Sequence, residues 1–147
     1  DHAPWLSGMV ETFGPHLNEY PGAQCLHGEI HPGNVLYLEE SRDAVLVDFE
    51  ESAHFFAPPA WDLAYLVQRF CLRGDPPPAT TKRRLSHVAD GYGAPLPELA
   101  PVMRQAAWFS MAVILDLRLS GGIVTPLGEY QKFVGLERQA QAFEGVL

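Results

Sequence analysis

Cysteine is scarce in this sequence, and it is absent from any recognisable metal-binding or disulfide pattern. Two of the 147 residues are cysteines, Cys25 and Cys71. They form neither a metal-type pair nor a disulfide framework, which fits a reducing compartment, and we expect a cytoplasmic protein. The first residues, DHAPWLSGMVE, contain no basic segment followed by an apolar one, so no signal peptide is expected.

Positive charge and long apolar runs are also lacking, and this limits the possible partners. Lysine and arginine number 10 against 18 acidic residues, giving a net charge of −8. Nucleic acids and anionic membranes need a basic surface, so we expect neither as a partner. The charge suits a cationic small molecule, although many globular proteins are as acidic. The most apolar run, residues 106–115, is too short to span a bilayer.

The hydropathy pattern predicts an α+β fold that is mostly helical. With 47% hydrophobic and 19% charged residues the composition is globular, and residues 1–147 are expected to form one domain. Two apolar runs, at 35–38 and 44–48, flank a polar connection and predict a small antiparallel β-hairpin. Helical periodicity predicts helices at residues 4–20, 61–72, 80–92, 97–120 and 128–146.

Residues 24–50, QCLHGEIHPGNVLYLEESRDAVLVDFE, contain the side chains best suited to chemistry. Metal-assisted phosphoryl transfer needs a carboxylate near the attacking hydroxyl and two oxygen ligands on the metal that bridges the phosphates. Glu29 is a candidate for the carboxylate, and Asn34 and Asp48 are candidates for the ligands. Taken singly, an asparagine after Pro-Gly is more often a turn residue, and an aspartate at a strand end is more often a cap. Only the set, with its spacing, favours phosphoryl transfer.

Three motifs carry a resemblance to a known family. HGEIHPGN at residues 27–34 resembles the catalytic loop HGDxHxxN of aminoglycoside phosphotransferases and choline-kinase-like enzymes. DFE at 48–50 resembles their metal-binding segment, and PAWDLA at 59–64 resembles the helix start that follows it. The resemblance covers residues 24–70. It implies the C-terminal lobe of a protein-kinase-like fold, and Mg²⁺-dependent transfer from ATP or GTP to a hydroxyl of an aminoglycoside-, choline- or sugar-like molecule.

The resemblance also implies a role for each polar residue of the motifs. Glu29 falls on the catalytic base, and Asn34 and Asp48 fall on the Mg²⁺ ligands of the nucleotide site. His31 falls where a side chain faces the phosphates, which makes it a catalytic and a nucleotide-binding candidate. The remaining candidates are two structural braces and a further metal contact: His27, Asp62 and Glu50.

Two departures from the family pattern bear on activity. Glu29 stands where the family has aspartate, and a carboxylate displaced by about 1 Å can lower a rate about a hundredfold. Neither a Gly-rich loop nor a strand lysine of the V-A-I-K type precedes the motifs. We therefore expect the nucleotide-gripping N-terminal lobe to lie outside these residues, and this chain alone to be inactive.

Two other functions stay open at the level of sequence. A degenerate kinase-like lobe would bind a ligand or partner without transferring phosphate; Glu29 favours it, and the two retained metal-ligand candidates disfavour it. A non-kinase metal site would use His27, Glu29 and His31, which a strand would place on one face for Zn²⁺ or Fe²⁺. Pro32 follows directly and disfavours a continuing strand.

Overall fold

The computed structural model describes residues 22–53, 56–119 and 127–144, so the helix predicted at 4–20 lies outside the described residues. The chain divides into two compact units. Gly22–Leu99 form the first, here called the site unit, and the helices after it belong to the second. Short antiparallel sheets and longer helices confirm the predicted α+β, mostly helical fold with a small hairpin. The assignment of residues 1–147 to one domain stays a prediction.

The predicted hairpin is formed by β2 (Val35–Leu38) and β3 (Asp43–Leu46), after a shorter strand β1 (Gln24–Cys25). Leu36 lies opposite Val45, and Tyr37 lies opposite Ala44. β3 ends before the predicted residue 48, because Asp48 adopts a positive φ of 67° and leaves the extended conformation.

A second antiparallel pair joins the two ends of the motif region. β1 pairs with β4 (Phe56–Ala57), with Gln24 opposite Ala57 and Cys25 opposite Phe56. The pairing fixes the chain just before the HGEIHPGN segment against the chain just after the DFE segment. The hairpin therefore lies within a stretch of chain whose two ends are hydrogen-bonded to each other.

The helix predicted at 61–72 is present, but it changes its hydrogen-bonding pattern half-way. It begins as an α-helix, α1 (Ala60–Leu66), and continues as a π-helical turn over Val67–Cys71. The Leu72 amide donates to the Val67 carbonyl at 3.1 Å, which is an i to i+5 bond. Six side chains along this segment are buried, and Gln68 is the polar one among them. They are Leu63, Ala64, Val67, Gln68, Cys71 and Leu72.

The next helix, α2 (Pro78–Tyr92), begins at a proline and is capped by the glycine that follows it. Pro78 lies in the first turn, where its missing N–H would have had no partner. Gly93 has a φ of 75°, and its amide donates to the Ala89 carbonyl at 2.9 Å, closing the helix. Arg84 of α2 donates from Nη1 to the carbonyls of Phe70 and Cys71, at 3.2 and 3.1 Å.

The second unit contains two long helices that pack against each other, α3 (Ala100–Leu119) and α4 (Leu127–Glu144). Apolar side chains of both are buried: Val102, Met103, Ala107, Met111, Tyr130, Ala140 and Phe143. Arg104 on α3 lies 3.4 Å from carboxylate oxygens of both Glu137 and Glu144 on α4. Within the described ranges, no helix has the length and apolarity to cross a membrane.

Candidate active site

The 27–34 loop is held in place by a carboxylate from the following helix. Asp62, in the first turn of α1, accepts a hydrogen bond from the His27 amide through Oδ2 and from the Gly28 amide through Oδ1, both at 2.9 Å. Gly28 has a φ of 85°, a conformation that side chains rarely tolerate. The sharp turn before Glu29 is thus fixed by one side chain and one glycine.

His27 is buried and connects the loop to the segment that carries Asp48. Its Nε2 lies 2.9 Å from the Val47 carbonyl, and its Nδ1 accepts from the Glu29 amide at 3.4 Å. Its ring also lies against Phe49, with centroids 4.6 Å apart. These contacts reach the residues on either side of Asp48.

Asn34 is buried at the end of the short 3₁₀ turn Pro32–Asn34. Its Nδ2 donates to the Glu29 carbonyl at 3.1 Å, which orients Oδ1 as the end of the amide that would ligate a cation. Its carbonyl accepts from the Val47 amide at 3.0 Å, one residue before Asp48. The same residue therefore contacts the backbone of Glu29 and pairs with the strand that leads to Asp48.

The three acidic candidates differ in how much the structure restrains them. The Glu29 carboxylate is partly exposed, and its Oε1 lies 3.7 Å from His31 Nε2. Asp48 and Glu50 are exposed, with Asp48 at the positive-φ turn and Glu50 at the start of the 3₁₀ turn Glu50–Ala53. Positive φ is more accessible to aspartate than to most residues, which suits Asp48 to that turn.

Three residues that the motifs do not single out complete the loop. Ser52 Oγ donates to the His27 carbonyl at 3.4 Å, and the Ser52 carbonyl lies 2.9 Å from Cys25 Sγ. Val47 contributes its backbone to both Asn34 and His27. Gly33 donates its amide to His31 Nδ1 at 2.9 Å. Backbone contacts such as those of Val47 have no residue-type signature, and the Ser52 hydroxyl bonds a carbonyl 25 residues away, so the sequence offers no local signal for either residue.

The family model of the phosphotransferase enzyme family matches residues 9–99. The chain belongs to this family. No curated protein and no solved structure matches it significantly.

The match to the phosphotransferase family ends where the site unit ends, at residue 99. Every candidate site residue therefore lies within the matched range. The helices α3 and α4 lie beyond it.

The residues present fit the Mg²⁺ that this phosphotransferase family generally uses. Among the described residues there is no group of three His, Cys, Asp or Glu side chains that could hold a metal. Mg²⁺ does not need one, because it is commonly bound by one or two carboxylates together with phosphate oxygens and water. An oriented amide on Asn34 and an exposed carboxylate on Asp48 suit that kind of site.

The contacts of the two loop histidines disfavour the alternative metal site. Both ring nitrogens of His27 already have backbone partners, Val47 and Glu29. His31 Nδ1 is occupied by the Gly33 amide. His27, Glu29 and His31 also do not lie on one strand, since β1 ends at Cys25.

Proposed function

We propose that this chain carries the catalytic and metal-binding half of a small-molecule kinase, which transfers a phosphoryl group from ATP or GTP to a hydroxyl. The observation that carries the proposal is the double contact of Asn34, through its side chain to the Glu29 carbonyl and through its backbone to Val47. That contact links the proposed base to the segment of a proposed metal ligand. Membership of the phosphotransferase family supports the reaction class.

In this proposal Glu29 is the general base and accepts the proton of the attacking hydroxyl. Phosphoryl transfer relies mainly on positioning and charge stabilisation, so a glutamate that is held correctly suffices in place of aspartate. The backbone of Glu29 is bonded on both sides, through its amide to His27 and through its carbonyl to Asn34. Those bonds restrict where its side chain begins.

Asn34 and Asp48 would hold Mg²⁺, with Glu50 as a further candidate ligand. The bound ion would neutralise charge on the phosphate oxygens and orient the nucleotide. His27 and Asp62 are assigned as structural braces, a role supported by their bonds to the loop and to Val47.

The nucleotide-gripping lobe is assigned to a part of the natural protein outside these residues. Both faces of the hairpin expose apolar side chains: Leu36, Tyr37, Leu38, Val45 and Leu46. An uncovered two-stranded hairpin is at best marginally stable in water, so a covering partner is expected. The free cysteines Cys25 and Cys71 support a cytoplasmic location, and the acidic balance is compatible with a cationic amine as substrate.

The decisive experiment is a phosphoryl-transfer assay on the complete natural protein, with labelled Mg·ATP and Mg·GTP and a panel of amino alcohols, sugars and aminoglycosides. Asp48→Asn should lower kcat by about a hundredfold or more, because it weakens the ion that neutralises the developing charge. Asp90→Asn, an exposed aspartate on α2, is the matched control and should leave the rate unchanged.

A complete protein that transfers no phosphate to any compound, yet binds one of them, would favour the degenerate binding lobe instead. A protein indifferent to Asp48→Asn would reject the proposed metal site. On the present chain, Mn²⁺ should broaden the NMR signals of Asn34 and Asp48 before those of Asp90, since Mn²⁺ accepts the same oxygen ligands as Mg²⁺.

A further inference from the structure

We infer that His31 is a positioning residue that orients the Glu29 carboxylate and thereby adapts the site to a glutamate. The inference rests on the proposed function, in which Glu29 is the base. Glutamate has one more rotatable bond than aspartate, so a backbone that is held on both sides still leaves its carboxylate free to swing. A group next to that carboxylate, itself fixed, would remove this freedom.

The ring of His31 is fixed by its place in the loop. His31 is the N-cap of the 3₁₀ turn Pro32–Asn34, and its Nδ1 accepts from the Gly33 amide at 2.9 Å. Its carbonyl accepts from the Asn34 amide, also at 2.9 Å. Side chain and backbone of His31 are therefore both engaged by the two residues that follow Pro32.

Gly33 provides the space in which the ring lies. A Cβ at position 33 would come within 2.8 Å of His31 Cε1 and 3.1 Å of His31 Nδ1. Real Cβ atoms essentially never approach as closely as the first distance, so any other residue would push the ring away. Gly33 is not among the positive-φ glycines, so the requirement is one of space and not of backbone conformation.

The bond from Gly33 decides which ring nitrogen faces Glu29. Because Nδ1 is an acceptor, the neutral ring must carry its proton on Nε2. Nε2 lies 3.7 Å from Glu29 Oε1, an ion-pair distance that is slightly long for a hydrogen bond. A hydrogen bond between the two atoms would require a rotation of the glutamate side chain. Both groups are partly exposed, so the contact adds little stability, and its consequence is orientation.

The length of glutamate matters to this contact. Glu29→Asp retracts the carboxylate by about 1 Å or more. That retraction carries it away from His31 Nε2. The family's usual aspartate would then be the poorer base in this particular loop. His31 and Glu29 are thus expected to act as a pair, and a change in one should alter the effect of a change in the other.

The first experiment measures the tautomer of the His31 ring and does not depend on enzymatic turnover. Long-range ¹H–¹⁵N NMR of the neutral His31 ring in this chain should show the proton on Nε2. Gly33→Ala should displace the ring and disturb that pattern. Gly91→Ala, where a Cβ would meet no atom within 4 Å, is the matched control and should leave it unchanged. A proton on Nδ1 in the unchanged chain would overturn the inference.

The second experiment measures coupling in the complete natural protein. His31→Asn keeps an acceptor for the Gly33 amide but removes the donor that faces Glu29, whereas His31→Gln keeps a donor at the Nε2 position. His31→Asn should lower kcat about tenfold with little change in the nucleotide KM, and His31→Gln should recover much of that loss. In the Glu29→Asp background, His31→Asn should have little further effect, because the contact is already lost.

The opposite results would overturn the inference. Fully additive losses in the double variant would show that the two side chains act independently. A raised nucleotide KM in both His31 variants, with kcat unchanged, would assign His31 to the phosphates. If the complete protein transfers no phosphate, the proposed function fails, and the ring tautomer in this chain then still tests whether the Gly33 amide holds His31 Nδ1.

Discussion

Asp62 shows how one carboxylate can hold a loop through both of its oxygens. Its two oxygens accept from consecutive amides, those of His27 and Gly28, so the loop is gripped at two adjacent points. A rigid pair of bonds of this kind defines the direction in which the chain enters the loop. The position of Glu29 follows from it.

Replacing Asp62 should destabilise the loop. Asp62→Ala leaves two partly buried amides without their acceptor and should reduce the free energy of unfolding by about 1–3 kcal/mol. It should also speed hydrogen exchange at His27 and Gly28. Urea unfolding and exchange NMR would measure both effects. Asp90→Ala, an exposed aspartate of α2, is the control, and equal effects of the two changes would contradict the proposed grip.

The individual site candidates could be recognised from sequence because their types and spacing form a motif. The grouping of Glu29 and Asn34 in one turn depends on local residues, Pro32 and Gly33 among them. The contact between Gly33 and the His31 ring could not be read in the same way. It depends on where an imidazole lies in space, and a glycine after proline is equally typical of an ordinary turn.

At the scale of elements, Arg84 caps the carboxyl end of the helical segment formed by α1 and the π-helical turn. The last carbonyls of a helix have no partner within it, and Arg84 reaches from α2 to two of them, at Phe70 and Cys71. Cys71 lies beside the same side chain. Burial raises the pKa of the Cys71 thiol, and the nearby Arg84 guanidinium partly opposes this. The thiol is therefore neutral at ordinary pH.

Arg84→Met should loosen the contact between α2 and the π-helical turn. The methionine keeps much of the apolar stem but donates no hydrogen bond, so we expect unfolding to become easier by about 1–2 kcal/mol. Arg83→Met, at the exposed neighbouring position, should change stability by less than about 0.5 kcal/mol. Thermal and urea unfolding would measure both. A loss as large in the Arg83 variant would mean that net charge, and not capping, is responsible.

The elements divide into those with a local signal and those without one. The hairpin was predictable because two apolar runs flank a polar turn within a dozen residues. The β1–β4 pair was not, because each strand has two residues and the pairing depends on the fold of everything between them. The π-helical turn that follows Leu66 was not predicted, and within it Val67, Gln68 and Cys71 are buried.

At the scale of the whole molecule, both faces of the hairpin carry exposed apolar side chains within the described ranges. Leu36 and Val45 share one face, Tyr37 lies on the other, and all three are exposed. Exposed apolar patches of this kind are typical of surfaces that contact another domain. This agrees with the proposal that the nucleotide is gripped by a further lobe.

Calorimetric titration of this chain with Mg·ATP should therefore show weak binding or none. The metal-ligand candidates alone offer few contacts to the base and ribose, and a site with two or three oxygen ligands holds a nucleotide only loosely. The complete natural protein, titrated in parallel, should bind more tightly. Equally tight binding by both would show that the nucleotide is held within residues 1–147.

The bonds that hold the 27–34 loop have a consequence for evolutionary substitution at position 29. Asp62, His27 and Asn34 grip peptide groups, and the side chain of Glu29 takes part in none of those bonds. In the proposed reaction, a single codon change between glutamate and aspartate at this position would alter the rate while the loop kept its shape. Descendants could thus adjust their turnover one step at a time without first losing the fold.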